Sequence, residues 1–109
     1  MSTNTFEKVI TNVDAIDKAV TVIDSLESES LGYTYGVNCF QINPESKSTP
    51  HSHQSSELWI VLSGTGVVFI DNSEITIEKG DRYVADGGKV HSIKNEYCEP
   101  LSILSLWWR

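Results

Sequence analysis

An all-β sandwich or barrel is the fold this chain predicts, and two observations carry it. From Tyr33 onward, short runs rich in β-branched and aromatic residues alternate with turn residues at the spacing of strands, and no linker, repeat or low-complexity segment interrupts them. Before Tyr33 the text is different. Asp14 can cap a helix whose apolar positions Ile16, Val20, Ile23 and Leu26 recur at helical spacing, with Asp17 in its first turn. Valine and threonine weaken that helix, and Val20 to Ile23 reads equally as a short strand. Ser28-Glu29-Ser30 ends the element and Gly32 opens the barrel. Residues 1–31 are therefore expected to form a short N-terminal segment packed on a barrel of residues 32–109.

Tyr33 to Ile42 is the first long strand, broken by Asn43-Pro44-Glu45-Ser46. Glu57 to Leu62 and Val67 to Ile70 read as a hairpin across Ser63-Gly64-Thr65-Gly66. Asp71-Asn72 turns the chain into Glu74 to Glu78, and Lys79-Gly80-Asp81 turns it into Arg82 to Ala85. His91 to Lys94 and Leu101 to Trp108 complete the set. Gly64, Gly66, Gly80, Gly87 and Gly88 are expected to supply positive φ in turns, since no helix follows them to make a phosphate-binding loop.

A chain of 109 residues has room for one core. Its hydrophobic fraction of 39% and its aromatic residues (three Trp, four Tyr, three Phe) suit a folded globule. The net charge of −7 disfavours nucleic acid or an anionic membrane as a partner. The longest apolar run, Leu58 to Leu62, is far too short to span a bilayer, and the N-terminus lacks a signal-peptide core, so a cytoplasmic location is expected. Cys39 and Cys98 are expected to be free thiols there. An anionic substrate would need a local cation, for which Arg82, Lys89, Lys94 and Arg109 are the candidates.

The chain has three histidines, and their placement is what points to chemistry. His51 and His53 are two apart, so on a strand both imidazoles face one way, and Glu57 shares their parity. Three imidazoles with His91 and one carboxylate suit a divalent transition metal such as Mn, Fe, Zn, Ni or Co, with coordination positions left open on an octahedral ion. The plain alternative is a set of polar barrel residues that hold nothing. By the same parity Trp59 and Val61 face inward with Glu57, which makes Trp59 either a pocket wall or core packing. Trp107 and Trp108 must point to opposite faces. One of them is expected to leave the interior and anchor a homodimer.

The spacing His51-x-His53-x3-Glu57-x6-Gly64, followed by Gly80-x5-Asp86-x-Gly88-x2-His91-x3-Asn95, resembles the two motifs of the cupin superfamily. The first motif matches at every defined position, and the second departs only at Asp86, where the family usually has proline. The resemblance implies a jelly-roll β-barrel with His51, His53, Glu57 and His91 holding one metal ion inside it. A narrower likeness covers about half the chain. Glu57-Leu58-Trp59-Ile60-Val61-Leu62-Ser63-Gly64-Thr65, and then Asn95 with Pro100-Leu101-Ser102-Ile103-Leu104, are similar to the cupin domain of type II mannose-6-phosphate isomerases. That likeness implies a metal-dependent aldose–ketose isomerase acting on a sugar or sugar phosphate. In such a reaction a proton moves between adjacent carbons while their oxygens carry developing negative charge, and Tyr83 and Asp86 are the candidates for the proton-moving group. Trp59 and Arg82 are the candidates for the substrate pocket. The same three-histidine, one-glutamate site would equally serve a cupin dioxygenase, or a sugar-binding module with a metal and no turnover.

Overall fold

The computed structural model of the chain describes residues 7–9, 19–30, 32–50, 54–85 and 87–109. These form ten strands: β1 (Glu7–Val9), β2 (Val20–Ser30), β3 (Tyr33–Ile42), β4 (Ser46–Lys47), β5 (Ser56–Ser63), β6 (Thr65–Ile70), β7 (Ser73–Glu78), β8 (Arg82–Ala85), β9 (His91–Asn95) and β10 (Leu101–Trp108). They make two antiparallel sheets, one of six strands in the order β1-β2-β3-β10-β5-β8 and one of four in the order β4-β9-β6-β7. The fold is an all-β jelly roll. Among the described residues no helix is long and apolar enough to cross a membrane.

The inner faces of the two sheets meet in one apolar core. Ile42, Trp59, Val61, Leu101 and Ile103 come from the six-stranded sheet and Val68, Ile77 and Ile93 from the four-stranded one, with Val20, Phe40, Ile75 and Tyr83 packed around them. Alternation along β10 sets this out plainly, because Leu101, Ile103 and Ser105 are buried while Ser102, Leu104 and Leu106 are less so. Asn95, a motif residue, is structural here. Fully buried, it donates through Nδ2 to the carbonyls of Ile42 (3.1 Å) and Glu99 (2.7 Å) and accepts from the Tyr97 amide (3.0 Å), fixing the turn that leads into β10.

Three expectations are corrected. From Val20 on, the N-terminal region is strand, not helix, and it pairs with β3 over Val20↔Ile42 to Ser30↔Tyr33. The bulge between Val22 and Asp24 puts one extra residue, Ile23, into β2. Residues 10–18, including Asp14 and Ile16, lie outside the described residues.

Second, β5 and β6 are not a hairpin. β5 pairs with β10 and β8, and β6 pairs with β7 and β9, so Ser63-Gly64-Thr65 carries the chain from one sheet to the other. Gly64 has φ +88°, and a Cβ there would meet the Pro100 carbonyl oxygen at 2.8 Å. Third, Gly66 and Gly87 do not take positive φ, unlike Gly64, Gly80 and Gly88. Gly66 is needed for room instead: an added Cβ would collide with Leu101 and the Lys94 carbonyl. The turns at Asp71-Asn72 and Lys79-Gly80-Asp81 fall where the sequence puts them.

Candidate active site

Strand register arranges the inner face of the six-stranded sheet in rows. At one end, Val20, Ile42 and Leu101 lie side by side, and above them Val22, Phe40, Ile103 and Val61. Next come Asn38, Ser105, Trp59 and Tyr83, and then Glu27, Gly36, Trp107 and Glu57. The barrel is thus apolar at its closed end and polar at the other. The polar rows open onto a cavity of about 350 Å³ lined by Glu27, Asn38, Ser55, Glu57, Trp107 and Arg109, a volume in the range of small-molecule sites.

Glu57 is held from two sides. Trp59 Nε1 and Ser105 Oγ (3.2 Å) both donate to its Oε2, which fixes the carboxylate toward the interior. Trp59 is itself immobilised, 3% exposed, with its ring against Phe40, Tyr83 and His91 at centroid separations of 6.4, 5.9 and 5.2 Å. His91 opens β9 on the inner face of the opposite sheet, paired with Ile70 and buried. Its Nδ1 lies 3.2 Å from the Lys89 carbonyl, which can only accept, so Nδ1 is the donor there and, in the neutral ring, Nε2 is the nitrogen with the lone pair. An oriented imidazole with an acceptor nitrogen, and a carboxylate steadied by two donors, are the outer-shell features of metal ligands.

The structure therefore brings Glu57 and His91 both against Trp59, one from each sheet. His51, His53 and Asp86 lie outside the described residues. Among the described residues no three His, Cys, Asp or Glu side chains cluster as a metal site, so Glu57 and His91 would need further ligands to hold an ion. Tyr83 stands inward on β8 opposite Trp59. Arg82 does not join it: it pairs with Ile60, and strand alternation turns it to the outer, exposed face, away from Trp59. Among the described residues, the cation lining the cavity is Arg109.

Ser105, Asn38 and Ser55 escaped the sequence reading. A signal for Ser105 was present, because it is the polar member of an otherwise apolar inward series, Leu101, Ile103, Ser105.

The cupin domain profile matches residues 38–107, from the middle of β3 to the end of β10. The chain belongs to the cupin domain family. The plu4264 protein from Photorhabdus luminescens superposes with a TM-score of 0.68 at 28% identity, covering 79% of this chain and 74% of that one. A proposed sugar phosphate isomerase from Acidithiobacillus ferrooxidans gives a TM-score of 0.59 at 32% identity, over 69% of this chain and 50% of that one. An uncharacterized protein of Methanocaldococcus jannaschii is 35% identical over 60 residues, 54% of this chain. The match spans 48% of that relative, so the cupin chain corresponds to about half of it. Cupin domains commonly bind a metal ion, and the orientation of Glu57 and His91 fits that chemistry.

Proposed function

We propose that this cupin is a metal-dependent aldose–ketose isomerase acting on a sugar or sugar phosphate, similar to type II mannose-6-phosphate isomerases. The observation that carries the reading is the cavity: Glu57, steadied by Trp59 and Ser105, stands in its wall beside the hydroxyl- and amide-bearing side chains Ser55 and Asn38. Such a lining suits a polyhydroxylated ligand. The likeness of Glu57 to Thr65 and of Pro100 to Leu104 to the isomerase family supports the same reading, as does the 32% identical neighbour bearing a sugar phosphate isomerase name.

Glu57 and His91, with His51 and His53 from the first motif, would hold the ion, which when bound would supply Lewis-acid stabilisation of negative charge on adjacent substrate oxygens. Trp59 and Ser105 keep the Glu57 carboxylate aimed, and the Lys89 carbonyl keeps His91 in its ligating tautomer. Asn38 and Ser55 orient substrate hydroxyls. Tyr83, with Asp86, is the candidate to move the proton between the two carbons.

The test is anaerobic interconversion of an aldose with its ketose, mannose 6-phosphate and fructose 6-phosphate being the first pair. Turnover should vanish with chelator and return with a divalent metal. No exchange of the C2 proton with solvent for any sugar, together with oxygen uptake on an aromatic or diketone substrate, would replace this reading by the dioxygenase one.

We also propose a homodimer assembled through the outer face of the six-stranded sheet. Trp108 (40% exposed), Leu62 (42%) and Val84 (58%) share that face with the partly buried Leu58, Ile60, Leu104 and Leu106. Light scattering should give twice the chain mass, and Trp108→Glu should halve it. A wild-type monomer at high micromolar concentration would refute the assembly.

A further inference from the structure

Arg109 continues the β10 ladder by one residue, its amide donating to Thr34 O (2.8 Å) and its carbonyl accepting from Thr34 N (2.9 Å). That pairing gives it the parity of Trp107 and Ser105 and directs its side chain to the cavity. There the guanidinium stacks on the Trp107 ring, 5.2 Å from its centroid, and donates through Nη1 to Ser55 Oγ at 3.5 Å. Among the described residues no carboxylate is within ion-pairing distance of it, although Glu27 and Glu57 line the same cavity. A guanidinium has five donors in a rigid fork, and the Ser55 bond engages one of its nitrogens. Stacking on Trp107 steadies that fork at the cavity.

We propose that Arg109 binds an anionic end group, phosphate or carboxylate, on a polyhydroxylated substrate whose reacting end lies at Glu57. The assignment rests on the proposed sugar chemistry for the identity of the ligand's other end. Arg109 and Glu57 stand in successive same-face rows, which strand geometry separates by about 7 Å, comparable to the length of a short sugar chain. Asn38 lines the same cavity one row beyond Glu57, on the side away from Arg109. Two charged groups of opposite sign at the two ends then impose a direction: the anionic end goes to Arg109 and the carbonyl end toward Glu57 and His91. A neutral sugar lacks that constraint.

The experiment is calorimetric titration of the full chain with inorganic phosphate, with and without chelator, and then with a hexose 6-phosphate, the matching uronate and the neutral hexose. Wild type should bind phosphate in both conditions, and Arg109→Gln should weaken binding of phosphate and of the preferred charged sugar by roughly 10- to 100-fold while leaving the neutral hexose unchanged. Arg109→Lys should restore part of the loss. The side chain is at the surface, so circular dichroism should be the same for all three proteins. Equal affinity of Arg109→Gln and wild type for phosphate and both charged sugars would overturn the assignment even if isomerase activity is found. Arg109-dependent phosphate binding without turnover of any sugar would uphold it and remove the isomerase reading instead. Comparison of the phosphate and uronate arms identifies which anion the site takes.

Discussion

His91→Ala should emerge from purification almost without divalent metal. Loss of a ligating imidazole is expected to lower affinity by more than the roughly 10- to 100-fold typical of outer-shell changes, and turnover should fall with it. Mass spectrometry after dialysis reads the metal, and circular dichroism checks that the strands persist. Ser105→Ala and Trp59→Phe make the sharper comparison. Each keeps every ligand and removes one donor to Glu57 Oε2, so each should reduce affinity by roughly 10- to 100-fold and leave a measurable residue of activity. Because an imidazole must be neutral to ligate, metal should also be lost on acidification. Stoichiometric metal in His91→Ala would exclude that residue as a ligand.

Gly36→Ala should cost a large loss of stability for so small a change. Gly36 sits in mid-strand, and a Cβ there would fall inside the indole of Trp107, against Cε2, Nε1 and Cζ2. Either β3 shifts or the indole swings into the cavity. Overpacking of this kind costs about 1–3 kcal/mol, or several degrees of melting temperature for a domain this size. Substrate binding should weaken as well, because Trp107 lines the cavity and supports Arg109. In a Trp107→Ala background the same substitution should be nearly silent. Additive losses in that double-mutant cycle would show that the indole is not what the new methyl group meets.

Gly36 also shows where sequence reading runs out. β3 and β10 are legible to the residue, Tyr33–Ile42 and Leu101–Trp108, because alternation and turn chemistry are local properties. So is the inward direction of Trp59, which parity with Glu57 fixes. What is not local was misread. Ser63-Gly64-Thr65-Gly66 has the composition of a hairpin turn, yet the need for glycine at 64 comes from Pro100 and Leu101, which press on it from the start of β10. No window of neighbouring residues contains that contact. Arg109 was one of four candidate cations in the text, and only its ladder with Thr34 and its seat on Trp107 separate it from Arg82, which alternation turns outward. The motif spacing made Glu57 and His91 legible as a pair. Of the two donors to Glu57, Trp59 lies in the quoted segment, but Ser105 belongs to no motif and reaches Glu57 from 48 residues away.

The position of β10 has a consequence for how the molecule is made. Residues 101–108 are the only bridge between β3 and β5 in the six-stranded sheet, pairing with both along their whole length. On a ribosome, β3 and β5 are synthesised well before the strand that joins them, and until it emerges each exposes an unpaired edge beside uncovered apolar residues. Such edges are the surfaces on which chains associate wrongly. Pairing of β3 and β5 into one sheet therefore waits for β10. Folding after synthesis should likewise be slow for a domain of this size, since five of the eight strand pairings among the described residues join strands that are not consecutive.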